Sequence, residues 1–217
     1  MRAAAAIAEN SDWRAGLEHL LQQTAANDFP SVDLAVLFAS PNFIDHYRAI
    51  LEEVRRRTHA TTLVGCSGQA VIGPGREVED RPALSLILFS LPGAIVRATH
   101  VKQEQMERQL SPPEWRDMFG LPLEEVNAWL LFADPFSLDP ERLLAALSES
   151  YPGVPLVGGM ASADVRSTDS FLFLNDAVSS KAPLPWRSAG RTPSAASSRR
   201  AASPLARPGR SRGRATM

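Results

Sequence analysis

The chain has 217 residues, of which 44% are hydrophobic, so it can bury a real core and is not disordered throughout. Its formal net charge is -1, yet residues 181–217 hold nine Lys or Arg and no Asp or Glu, which leaves 14 basic against 24 acidic residues in 1–180. An acidic body disfavours nucleic acid as its partner. The single cysteine, Cys66, excludes an internal disulfide and a cysteine-based metal cluster, and it fits a reducing compartment.

The N-terminal sequence MRAAAAIAEN gives no targeting signal, because Glu9 cuts its apolar run short. No stretch approaches the roughly 20 apolar residues that a membrane helix needs. We therefore predict a cytoplasmic protein without a membrane partner, and the sequence indicates no metal and no cofactor.

The first elements follow from hydrophobic spacing. Residues 1–29 are predicted as an N-terminal helix, capped by Ser11 and followed by apolar residues at helical intervals. The run VDLAVLF (32–38) predicts a buried strand, and TTLVG (61–65) predicts a returning one. Between them lies an amphipathic helix whose apolar face is Phe43, Tyr47, Ile50, Leu51 and Val54.

The next segment predicts further strands. ALSLILFSL (83–91) is apolar on both faces and reads as a central strand. Pro92-Gly93 then predicts a turn into IVRATHV (95–101), which would complete a hairpin.

The second half of the sequence repeats the pattern of the first. VNAWLLFADP (126–135) matches VDLAVLFASP (32–41), a second helix follows, and the Leu-Val-Gly of 63–65 returns at 156–158. The separations between matched positions are nearly equal, so we infer two related repeats, at about 32–101 and 126–176. The predicted fold class is α/β, a mixed sheet with flanking helices built from two strand–helix–strand repeats.

Small and polar residues follow the strands of both repeats. Parallel strands joined by a crossover helix bring their carboxyl ends to one edge of the sheet, where ligands usually bind. Backbone N–H groups stay accessible in turns of small residues, so we expect a ligand there. The candidates are Ser40, Asn42, Gly65, Cys66, Ser67 and Gly68 in the first repeat and Asp134, Gly158, Gly159 and Ser162 in the second.

These motifs resemble the N-terminal domain of the FIST family, named for F-box and intracellular signal transduction proteins. The resemblance rests on VDLAVLFASP, LVGCSGQAVIGPGREVED, ALSLILFSLPG, LFADPF and PLVGGMASAD and covers about residues 30–176. Its most specific part is the Gly-Cys-Ser turn followed by Glu77 and Glu79. Glu77 is a further candidate, for binding the ammonium group of an amino acid.

The resemblance implies a cytoplasmic sensory domain that binds small ligands such as amino acids and works with a signalling output protein. Family members normally continue into a C-terminal FIST domain, and this chain is expected to stop before it.

Residues 177–217 are predicted as a disordered basic tail, rich in Arg, Ala, Ser, Pro and Gly. One interpretation is a genuine tail that attracts nucleic acid or anionic partners. The other, which we favour, is the product of a shifted reading frame, because the break falls inside the second repeat.

Cys66 is the one candidate nucleophile, and a cysteine hydrolase would need a nearby histidine such as His46, His59 or His100. No spacing ties any of them to Cys66, and the equivalent position of the second repeat is Gly159. We therefore predict a ligand-binding domain with no catalytic residues, with a cysteine hydrolase or a tail-mediated interaction module as alternatives.

Overall fold

A computed structural model describes residues 1–162 and 169–180. Of the predicted disordered tail at 177–217, Ala177–Ser179 instead form a strand that pairs with Leu172–Leu174, and residues 181–217 lie outside the described part of the chain. The first part of the chain forms β1 (Arg2–Glu9), α1 (Trp13–Gln23), β2 (Leu34–Ala39), α2 (Tyr47–Thr58), β3 (Thr62–Ser67), β4 (Ala70–Gly73), β5 (Arg76–Glu79) and β6 (Ala83–Ser90). The second part forms α3 (Gln103–Glu107), α4 (Pro112–Phe119), β7 (Trp129–Ala133), α5 (Pro140–Ser150), β8 (Leu156–Met160), β9 (Leu172–Leu174) and β10 (Ala177–Ser179).

The main sheet has six strands in the order β1-β6-β2-β3-β9-β10. β2 and β3 are parallel, as their connection through α2 requires, and every other neighbouring pair is antiparallel. The prediction of a mixed α/β sheet with helices is therefore confirmed. Helices α1 and α2 pack on one face of the sheet, where Leu20, Ile50, Leu51 and Leu86 are fully buried.

The N-terminal segment differs from the prediction. Arg2–Glu9 is not helical but an edge strand that pairs with β6 over eight residues. The helix begins at Trp13, and its cap is Asp12 rather than Ser11, since the Asp12 carboxylate accepts from the Arg14 N–H at 2.9 Å. An alanine-rich run has no strong strand propensity of its own, so β6 determines its conformation.

The predicted hairpin at 95–101 is also wrong. The residues after Pro92-Gly93 form no strand up to α3. β6 already has β1 on one side and β2 on the other, so neither of its edges is left for a returning strand. The N-terminal strand thus occupies the place that the sequence assigned to 95–101.

A second parallel pair, β7 and β8, is joined through α5 and forms a separate two-stranded sheet. Its core contains Trp115 of α4 together with Leu143, Leu147 and Tyr151 at α5. The register equals that of the first pair: Leu37 lies opposite Gly65 in one, and Leu131 opposite Gly158 in the other.

Candidate functional site

The carboxyl ends of β3 and β8 contact each other directly. The Ser67 hydroxyl donates to the carbonyl oxygen of Ser162 at 2.8 Å, and the Ser162 N–H donates to the carbonyl oxygen of Ser67 at 3.1 Å. The Gln69 N–H donates to the Ser162 hydroxyl at 2.9 Å. Phe38 and Phe132, which hold equivalent positions in the two matching motifs, also meet edge to face with ring centroids 5.5 Å apart. The two turns are therefore neighbours, joined by hydrogen bonds.

Gly65 and Gly158 allow the paired strands to approach each other closely. A Cβ on Gly65 would lie 1.8 Å from the carbonyl oxygen of Leu37, and one on Gly158 would lie 1.8 Å from that of Leu131. Their φ angles are 155° and 154°. In each pair the neighbouring strand approaches so closely that only glycine fits.

Other predicted residues have structural partners or lie apart from these turns. Ser40 is buried, and its hydroxyl accepts from the Ala83 N–H at 3.0 Å, which fixes the end of β2 beside β6. The Gly68 N–H donates to the carbonyl oxygen of Ala39 at 3.1 Å. Asn42 is exposed in the turn before α2, Glu77 is exposed on β5, and Gly159 is exposed on β8.

Cys66 is only 4% exposed, and burial raises the pKa of its thiol to about 12. A thiol with such a pKa holds almost no thiolate at neutral pH, and the thiolate is the nucleophile. His59 ends α2 at the opposite end of β3, and His46 packs beside Trp13 with ring centroids 6.2 Å apart. The geometry therefore gives no support to a cysteine nucleophile.

Asp134 follows β7 and lines a cleft of about 150 Å³. Asp134 is 2% exposed, and its Oδ1 atom accepts hydrogen bonds from the Ser170 hydroxyl at 2.6 Å and from the Phe136 N–H at 3.0 Å. These two donors fix the carboxylate at the wall. The cleft is lined by His100, Val101, Lys102, Gln103, Asp134, Ser137, Leu138, Leu172, Ser179 and Ser180.

The cleft combines groups of both charges with hydroxyls and a small apolar surface. Asp134 supplies the acidic side, whereas His100 in the loop before α3 and Lys102 at the N-cap of that helix supply basic side chains. Among the predicted ligand-binding residues, all of which lie in the described part of the chain, Asp134 alone lines it. Lys102 and His100 were missed because nothing in their spacing indicates that their loop returns to β7.

A larger depression of about 490 Å³ lies between α1 and α2. Its charged side chains neutralise one another: Arg57 pairs with Glu18 at 3.0 Å and Arg56 with Glu53 at 2.5 Å. Hydrogen bonds from these arginines lower the pKa values of the Glu18 and Glu53 carboxyl groups. Side chains that are already paired with one another in this way offer few free charges for binding a ligand.

None of the helices at residues 1–162 and 169–180 has the length and hydrophobicity of a transmembrane segment. The same residues contain no group of three or more His, Cys, Asp or Glu side chains placed to hold a metal ion.

Comparison with known proteins assigns the chain to a class of signalling-associated domains. Residues 33–184 match the model of the FIST N domain. Since this match covers more than half of the sequence, the chain belongs to the FIST N domain family, a family associated with signalling.

The curated relatives are longer proteins. An uncharacterized protein of Mycobacterium tuberculosis is 29% identical over 140 residues, which are 64% of this chain and 35% of that protein. An uncharacterized protein of Mycobacterium bovis is 28% identical over 148 residues, which are 68% of this chain and 36% of that protein. The chain thus spans about a third of the length of the curated relatives it matches.

Proposed function

We propose that this chain is a cytoplasmic sensory domain in signal transduction that binds a free amino acid, or a similar small zwitterion, in the cleft beside Asp134. The observation that carries the proposal is the presence of opposite charges around one small cavity. A carboxylate at one wall suits an ammonium group, and the basic side chains of Lys102 and His100 suit a carboxylate.

The size of the cleft supports a small ligand. Pockets for drug-sized molecules hold about 300 to 1,000 Å³, whereas this cleft holds about 150 Å³. Leu138, Leu172 and Val101 give it an apolar surface for a short side chain. A nucleotide or a peptide would exceed this volume, so an amino acid is the ligand class that fits best.

The position of the cleft supports a role for the repeat in sensing. We propose that β2-α2-β3 and β7-α5-β8 descend from one duplicated unit, which accounts for their equal register and their paired glycines. The cleft opens between the end of β7 and the β9-β10 hairpin, which is attached to β3. A ligand there would touch both halves of the domain and could pass a change in one half to the other, on to a signalling output protein.

The proposed domain carries out no reaction. Cys66 is buried with a raised pKa, so the hydrolase alternative has no activated nucleophile to rest on. Alkylation of the native protein at neutral pH tests this point. We expect iodoacetamide to leave Cys66 unmodified until the protein is unfolded, and rapid native labelling would return the hydrolase to consideration.

The ligand is tested by thermal-shift measurements on the full chain with the twenty amino acids at millimolar concentration. We expect at least one to raise Tm, because a ligand that binds the folded state stabilises it. The Asp134→Asn variant keeps the acceptors for Ser170 and Phe136 and should fold but lose the shift. Exposed Glu77→Gln is the matched control and should keep it. A panel without any shift, or an unchanged shift in Asp134→Asn, would refute the proposed site.

A further inference from the structure

The outer edge of β7 is open in the part of the chain that the structure describes. Among the strands of residues 1–162 and 169–180, β7 pairs with β8 alone. β2, which holds the same place in the first unit, pairs with β3 on one side and with β6 on the other. The second unit therefore lacks a counterpart of β6 among residues 1–162 and 169–180.

The backbone of β7 presents hydrogen-bonding groups at this edge. The Trp129 N–H donates to the carbonyl oxygen of Pro155, and the carbonyl oxygen of Ala133 accepts from Ala161. These alternate residues of β7 therefore point toward β8. Because polar backbone groups alternate sides along a strand, Leu130 and Phe132 direct theirs to the open edge.

The same alternation holds in β2, where the corresponding edge is filled. The Gly68 N–H donates to Ala39 on the β3 side, whereas the Ser40 N–H donates to the carbonyl oxygen of Ala83 on the β6 side. Val36 and Phe38 thus face β6 in the way that Leu130 and Phe132 face the open edge.

The side chains around the open edge are apolar. Leu130 is 43% exposed, and its partner in register on β8, Val157, is 58% exposed. Neither WLLFA of β7 nor LVGGM of β8 contains a charged residue or a proline. Edge strands usually carry such residues to prevent unwanted pairing, and their absence here indicates an edge that is covered in the working protein.

We propose that the outer edge of β7 binds an extended apolar strand from a separate polypeptide segment, which adds antiparallel to β7 as β6 adds to β2. Main-chain hydrogen bonds to Leu130 and Phe132 supply the register, and the apolar side chains beside them supply affinity. This chain spans only about a third of the length of its curated relatives. The remaining two thirds of those proteins can supply such a strand.

Residue-resolved hydrogen exchange on the full chain tests the proposal. The probe is a peptide of the β6 sequence, Ala83–Ser90, flanked by lysines for solubility. In the free protein, the amides of Leu130 and Phe132 should exchange fast and those of Leu131 and Ala133 slowly. Added peptide should slow exchange at Leu130 and Phe132. A control peptide with Ile87→Pro lacks a donor that faces β2 in the native sheet, and it should leave them fast.

Two protein variants complete the test. Leu130→Pro removes the outward N–H while leaving the bonds to β8. It should weaken peptide binding about tenfold or more, because one hydrogen bond to the peptide is lost and the adjacent hydrogen bonds are disturbed. Leu130→Lys keeps the N–H, alters a side chain that is already exposed, and should weaken binding through its charge. Unchanged exchange at Leu130 and Phe132 with the β6 peptide would overturn the proposal. So would protection that grows with protein concentration alone, since that would assign the edge to a second copy.

Discussion

At the scale of single residues, Gly65 and Gly158 make the same close contact in the two parallel strand pairs. The sequence predicted both as parts of ligand-binding turns, because glycine leaves backbone groups open. In the structure, a Cβ at either position would lie 1.8 Å from a carbonyl oxygen of the neighbouring strand. A single sequence does not distinguish a glycine in a turn from a glycine packed against a neighbouring strand, so the role of these two glycines could not be predicted from their spacing.

We expect Gly65→Ala and Gly158→Ala to lower the free energy of unfolding by about 3 kcal/mol or more, since backbone must move to admit the methyl group. Urea denaturation measures the loss. Gly159→Ala is the matched control next to Gly158, because a Cβ there meets nothing within 4 Å, and it should be nearly neutral. Equal effects at Gly158 and Gly159 would contradict the close approach.

Because the thiol of Cys66 is buried, we expect the protein to lose stability at alkaline pH. Its thiol ionises at about pH 9 when unfolded and has a pKa of about 12 when folded. Folding therefore favours the neutral thiol. The contribution of Cys66 to the free energy of unfolding is complete below pH 9 and is lost as pH rises toward 12. Each pH unit in this window costs up to about 1.4 kcal/mol.

Urea denaturation between pH 7 and 11 checks this expectation. Cys66→Ala should show a shallower decline than the wild-type chain. The decline should not vanish, because burial also raises the pKa of Tyr151 to about 12 and raises that of Tyr47. Parallel curves for the two proteins would show that Cys66 makes no such contribution.

At the scale of elements, Ser67 links three strands of two sheets. Its hydroxyl donates to Ser162 after β8 and accepts from the Phe171 N–H before β9 at 3.0 Å. Its N–H donates to the carbonyl oxygen of Phe171 at 2.9 Å. One buried side chain thus fixes the end of β3 against the second half of the domain.

Ser67→Ala should cost about 1 to 3 kcal/mol, because it leaves the buried Phe171 N–H without its acceptor and removes the donor to the Ser162 carbonyl oxygen. Ser162→Ala provides the comparison: it removes one bond from Gln69 but keeps both main-chain bonds to Ser67. We expect its cost to be clearly smaller in the same denaturation assay. A larger cost for Ser162→Ala would contradict the role given to the Ser67 hydroxyl.

Elements with a local signal were predictable, and those with a distant cause were not. Helix α2 buries Tyr47, Ile50, Leu51 and Val54, as its apolar spacing predicted. β1 was missed because its partner lies about eighty residues away in β6. The hairpin at 95–101 failed for the same reason, since β1 fills the edge it required.

At the scale of the whole molecule, the candidate ligand site is a cleft to which distant segments contribute. Asp134 was predictable, because it follows a strand that repeats an earlier motif. Lys102, His100 and Ser179 were not, because their approach to Asp134 depends on how the loop after β6 and the final hairpin fold back. The proposed ligand site is therefore a property of the assembled domain.

Isothermal titration of the full chain with the amino acid that gives the largest thermal shift tests the central claim most directly. The same amino acid is titrated in its N-acetylated form and as its methyl ester. Binding to Asp134 and to the basic side chains predicts that each modification weakens affinity about tenfold or more, the loss of a charge-assisted hydrogen bond. Asp134→Asn should weaken the unmodified amino acid and make it insensitive to N-acetylation. Equal affinity for all three ligands, or wild-type affinity in Asp134→Asn, would contradict the account.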